Sequence, residues 1–141
     1  MIILDTDHFT VLRYADDSRY PTVTQRLLAS EDQRIVTTVV TVEEQMRGWL
    51  AEVNRWRDIR RQRTAYDRLA MLVEFLSEWE TLRIDEGAIE QFNDLRQQRI
   101  RIGTQDLKIA AIALTHRALL LSANLRDFRC VPGLNVQNWL E

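Results

Sequence analysis

Five short apolar runs recur along the 141-residue chain, separated by stretches with helical periodicity. They are IIL (2–4), RIVTTV (34–39), LRI (82–84), LLLS (119–122) and LNVQNW (134–139). Strands that are apolar throughout, rather than alternating, need cover on both faces, and intervening helices supply it. The pattern therefore predicts an α/β/α sandwich around a central, mostly parallel sheet of four to five short strands. Trp49 to Trp79 reads as a long helical hairpin, with Leu69, Leu72, Val73, Phe75 and Leu76 as its apolar side. EGAIEQFNDLRQQ reads as another helix, and GTQDLKIAAIALTHRA as one with Ile109, Ile112, Ala113 and His116 on a stripe.

The length suits one domain over 1–141 with a real core, and an apolar content of 45% with only four Gly and two Pro excludes disorder. A net charge of −2 gives no global pull towards nucleic acid. Yet every cationic side chain except Lys108 is an arginine, whose planar fork suits phosphates and carboxylates. The lone Cys130 makes no internal disulfide, reads as a small buried residue, and fits a reducing compartment. The first acid comes too early for a signal peptide, and no apolar run approaches the roughly 20 residues of a membrane span. A cytoplasmic protein without membrane contact is expected.

In open α/β sheets, ligands gather beyond the carboxyl ends of the strands. Asp5 and Asp7 follow the first run, Glu44 follows the second, Asp106 opens the DLKIAAIAL helix, and Asp127 follows LLLS. Singly, three of these have structural readings: a Thr41–Glu44 capping box, Asp106 in the first turn after an N-cap at Thr104, and Asp127 capping a turn. Together, carboxylates converging on one cleft repel one another and call for a positive partner. An oxygen-only set without Cys or His pairs points to Mg2+ or Mn2+ rather than zinc.

IILDTDHF, TTVVTVEEQMRG, GTQDLKIAAIAL, LLLSANLRDF and VPGLNVQNW together resemble the PIN-domain family, in particular the VapC-like toxin ribonucleases, over nearly the whole chain. The acid-led alanine-rich helix followed by S-x-N-x-x-D-F is the most specific part. The resemblance implies a metal-dependent endoribonuclease, the toxin of a toxin–antitoxin pair. Asp5, Glu44, Asp106 and Asp127 would be its catalytic and metal-binding acids, with Asp7, Ser122 and Asn124 supporting them. Position 7 is Asp where the family usually shows Asn, and 122 is Ser where Thr is commoner. Glu44 is preferred to Glu43 because it stands four residues before Gly48, the family's acid-to-glycine spacing. RNA and a small antitoxin are the implied partners, and the 49–79 hairpin, which offers more apolar surface than one small sheet can cover, predicts a homodimer.

The run RWRDIRRQR places Arg55, Arg57, Arg60, Arg61 and Arg63 around Trp56. It suits an RNA backbone or an acidic antitoxin segment, with Trp56 stacking on a base or a partner, or is simply a solvated helix face. His8 and His116 read as structural, the latter as a hydrogen-bonded core residue. A haloacid-dehalogenase-like phosphatase would use Asp5 as nucleophile in D-x-D, but Phe9 stands where that motif wants Thr or Val. A non-catalytic PIN-fold binding module would have lost an acid, and none is lost. A receiver-like domain needs a lysine after a late strand, and none is there.

Overall fold

Ile2, Ile3 and Leu4 are all buried, and they form β1 (Ile2–Leu4), the central strand of a five-stranded parallel sheet. The computed structural model describes every residue from Met1 to Glu141. The other strands are β2 (Ile35–Thr38), β3 (Thr81–Leu82), β4 (Leu119–Leu121) and β5 (Asn135–Gln137), in the order β3-β2-β1-β4-β5. Ile3 stands opposite Val36 on one side and Leu120 on the other. The pleat sends these three to a core shared with Val40, Leu95, Ile109 and Ile112. Ile2, Leu4 and Leu121 point the opposite way, to Phe9, Val11, Val23, Leu27 and Trp139.

Seven helices cover the two faces: α1 (Thr6–Arg13), α2 (Tyr20–Ala29), α3 (Val39–Arg55), α4 (Ile59–Leu76), α5 (Glu86–Gln97), α6 (Thr104–His116) and α7 (Leu125–Phe128). Strand order reverses direction between β1 and β4, which opens the crevice where such sheets build their sites. No helix is long and apolar enough to cross a membrane.

Several boundaries differ from the sequence reading. The third and last strands are shorter than 82–84 and 134–139, because only Thr81–Leu82 and Asn135–Gln137 pair with a neighbour. α3 begins at Val39, with Thr38 as N-cap accepting from the Thr41 amide at 3.2 Å, so Thr41 and Glu44 do not form a capping box. Gly103, not Thr104, precedes α6, and it brings no side-chain cap. The 49–79 segment is interrupted: α3 stops at Arg55, and Asp58 caps α4 by accepting from the Arg60 amide. Gln62 Nε2 closes that turn by donating to the carbonyls of Val53 and Trp56.

Leu72 is buried, and Phe75 and Leu76 pack on the sheet side, where Phe75 joins Phe9 and Trp79 in an edge-on aromatic cluster. The apolar residues that α4 leaves outside are Ile59, Tyr66, Met71 and Val73. Gly48 sits in the interior of α3, where glycine costs about 0.5–1 kcal/mol relative to alanine. His116 and Cys130 are both exposed rather than buried, His116 because it ends α6 beyond the sheet, Cys130 because it lies in the turn after α7.

Candidate active site

The β1–β4 crevice is floored by a carboxylate. Asp5 leaves β1 as the N-cap of α1, with its amide donating to the Leu121 carbonyl and its Oδ1 accepting from the Thr6 amide at 2.7 Å. Its Oδ2 accepts from the Ser122 hydroxyl at 2.7 Å, directly after β4. Burial first, and then the charge of Asp7, push Asp5 up to about 7, outweighing those two hydrogen bonds.

The loop after β4 also contacts Asp7, Asp106 and Asp127. The Ala123 amide donates to Asp7 Oδ2 at 2.8 Å, and the Asn124 amide donates to Ser122 Oγ at 3.0 Å. Asn124 Nδ2 bridges Asp106 Oδ2 at 2.9 Å and Asp127 Oδ2 at 3.1 Å. The two acids thus come from the starts of α6 and α7 but share one amide. Asp127 makes no turn cap with its side chain; its carboxylate faces Asn124. Burial holds Asp106 above the usual carboxylate range; Asn124 opposes this, while the charges of Glu44, Asp127 and Asp7 add to it.

Glu44 reaches the site from the second turn of α3, accepting from the Thr6 hydroxyl. Glu43 turns away, held by Gln105 Nε2 at 2.6 Å and Arg47 Nη2 at 2.8 Å. The choice of Glu44 over Glu43 therefore has a geometric basis. Asp7 differs from the other acids because each of its oxygens meets two partners. Oδ1 accepts from the His8 amide and faces His8 Nδ1, both at 2.6 Å, while Oδ2 faces Ala123 and Ser122. His8 is fully buried, and its Nε2 accepts from the Trp139 amide at 3.0 Å. The ring is then neutral, with its proton on Nδ1 towards Asp7. Asp7 reads as a brace between α1, the β4 loop and the C-terminal segment.

None of Asp5, Glu44, Asp106 and Asp127 is ion-paired with an Arg or Lys. The carboxylates do not close on one point as three ligands of an ion; they are joined in pairs through Ser122 and Asn124. An oxygen-only donor set whose members raise one another's proton affinity, without a cation among them, fits a hard divalent ion such as Mg2+ or Mn2+.

Sequence reasoning missed Thr6 as the donor to Glu44, the Ala123 amide, and the His8–Trp139 link. Thr6 lies between two acids already singled out, but nothing in its spacing signals the contact. The arginine run straddles the α3–α4 turn instead of lining one helix. Arg55 and Arg61 lie over the Trp56 ring at 4.9 and 5.1 Å, so the indole orients two guanidinium groups.

The PIN domain family matches residues 2–134. This chain belongs to the PIN-domain family. Ribonuclease VapC1 of Haemophilus influenzae is 30% identical over 108 residues, covering 77% of this chain and 76% of the relative. Ribonuclease VapC1 of Rickettsia felis is 54% identical over 44 residues, which span 31% of this chain and 33% of that protein. Among solved structures, VapBC-1 from nontypeable Haemophilus influenzae superposes with a TM-score of 0.77 at 22% identity, covering 100% of both chains. VapBC2 from Rickettsia felis, bound to a DNA fragment from its promoter, gives 0.72 at 24% identity and 99% coverage of both. These superpositions show the fold alone.

Proposed function

We propose that this chain is a metal-dependent endoribonuclease, a single PIN nuclease domain acting as the toxin of a toxin–antitoxin pair in the cytoplasm. The observation that carries the reading is the set of four acids at the sheet's switch point, Asp5, Asp106 and Asp127 held by Ser122 and Asn124 and Glu44 by Thr6, with no cationic side chain among them. The ribonuclease names of its relatives support RNA as the substrate.

Asp5, Asp106, Glu44 and Asp127 would hold Mg2+ or Mn2+. When bound, such an ion supplies Lewis-acid polarisation of a phosphoryl group and an activated water. The chain's own part is to keep those oxygens aimed. Ser122 fixes Asp5, Asn124 spaces Asp106 from Asp127, and Thr6 holds Glu44 against α1. Asp5 is an implausible phosphatase nucleophile, since it is buried and both its oxygens accept hydrogen bonds. A small antitoxin is proposed as partner because the similar structures are VapBC pairs, and a second copy of this chain as another.

The test is cleavage of total RNA by purified protein. Products should appear with Mg2+ or Mn2+, vanish with EDTA, and be absent for Asp106→Asn. Cleavage that persists in EDTA would sink the metal reading, and intact RNA under every condition would sink the nuclease.

A further inference from the structure

Beside the acid site the seam between α1 and α3 forms a shallow surface trough whose floor is closed by side-chain hydrogen bonds. Thr6, Thr10 and Arg13 fall on one face of α1, and Glu44, Gln45 and Gly48 fall on the facing stripe of α3. Hydrogen bonds join the two sides in order along the trough. The Thr6 hydroxyl meets Glu44, Gln45 Nε2 donates to Thr10 Oγ1 at 2.9 Å, and Arg13 Nη1 donates to Gln45 Oε1 at 3.3 Å.

One turn beyond Glu44 and Gln45 the wall drops away. A Cβ on Gly48 would meet no atom within 4 Å, so packing does not require glycine there. Its helical position makes it a net cost to α3. What glycine provides is a low, bare stretch of helix beside the acids. At the trough's outer end Arg13 has no carboxylate partner; its guanidinium lies over the Tyr14 ring at 5.2 Å, and Arg68 lies over the same ring at 6.0 Å.

We propose that single-stranded RNA leaves the acid site through this trough, its backbone crossing α3 over Gly48 and a phosphate seated on Arg13. The proposal rests on the ribonuclease reading and names where its substrate runs. Arg13 lies eight residues from Asp5, about 12 Å along α1, which three or four stacked nucleotides at roughly 3.4 Å each would span. A strand with a phosphodiester at the acids must pass over one lip of the crevice, and this lip is open at Gly48 and ends at the half-buried guanidinium of Arg13, which lies over Tyr14 and Phe75.

Binding of a fluorescein-labelled 12-nucleotide single-stranded RNA to the full chain, followed by anisotropy with Mg2+ in the Asp106→Asn background, tests it. Gly48→Leu should weaken binding by about tenfold or more, the equivalent of about 1.4 kcal/mol. Its thermal midpoint should stay level or rise, since leucine is the better helix former and the space is open. Arg13→Gln, which keeps a donor for Gln45, should weaken binding and reduce the salt slope by about one. Unchanged RNA affinity in Gly48→Leu overturns the trough, leaving that lip to a segment of a partner protein. Absence of RNA binding both by the Gly48-containing parent and by the native chain in EDTA overturns the trough together with the ribonuclease reading.

Discussion

Asp5 ends a buried strand with its carboxyl pushed up to about 7, and this gives the apoprotein a pH dependence of a definite sign. Because the folded-state value lies above the ordinary 3.8, the folded chain binds more protons than the unfolded chain between about pH 4 and 7. Stability without a divalent ion should therefore be greatest below pH 4 as far as this group is concerned, and be lost as pH rises through 7. A gap of three pKa units corresponds to about 4 kcal/mol. Asp106, also raised, acts in the same direction. Asp17, Glu43 and Glu80 are lowered and act oppositely, but below about pH 4.5, so the range from 5 to 7.5 reports on the site. Urea midpoints in EDTA should fall across that range, and Asp5→Asn should flatten the fall and exceed the native chain at pH 7.5. A flat native profile would show that burial does not hold Asp5 protonated. Glu44→Gln still accepts from Thr6, so it should keep its melting temperature while cleavage drops at least about tenfold. Full activity in that variant would remove Glu44 from the proposed site.

At the scale of elements, the buried parallel strands were legible because cover on both faces makes them apolar throughout: IIL and LLL are the plainest cases. Boundaries were less legible where residues serve two structures. In VTTVVT, β-branched residues suit a strand and Thr38 and Thr41 both suit a cap, and only the backbone shows that Thr38 caps. α2 escaped notice because it buries only Val23 and Leu27, although Pro21 in its first turn was a usable start signal. The four acids were legible from their places after strands and at helix starts. That Ser122 and Asn124 support them came from the family resemblance alone; which acid each one holds was not legible, since Ser122 meets Asp5 across 117 positions of chain. Two predictions belong here. Thr38→Ala should cost about 1 kcal/mol in urea unfolding while leaving the acids in place, because it removes the cap of α3. Arg57, Arg60 and Arg61 at the α3–α4 turn have no carboxylate partner, and replacing all three with Gln should weaken RNA or antitoxin binding and flatten its salt dependence. Binding of both ligands as by the native chain would leave the turn a solvated one.

For the whole molecule, the sequence placed the surplus apolar surface on the 49–79 hairpin, but Leu72, Phe75 and Leu76 are spent on the chain's own core. The exposed alternative lies on the other side of α3, where Val39, Val42, Met46 and Leu50 line a shallow groove flanked by the Glu43–Arg47 pair. Gln105 joins this groove, through Glu43 and Lys108, to a second apolar hollow lined by Ile84, Ile89 and Phe92. A standard interface covers about 800 Å2 per partner, roughly a tenth of this chain's 8835 Å2 surface. One helical stripe is too narrow for that, so the two patches have to act together. Opposite charges side by side on the rim suit isologous pairing, in which Glu43 of one copy can face Arg47 of the other. The chain should therefore scatter light as a dimer at micromolar concentration. Leu50→Glu and Ile89→Glu should each yield monomers, whereas Val73→Glu on the exposed face of α4 should not. A monomeric native chain would refute the dimer, and dissociation by Val73→Glu alone would move the interface back to the hairpin.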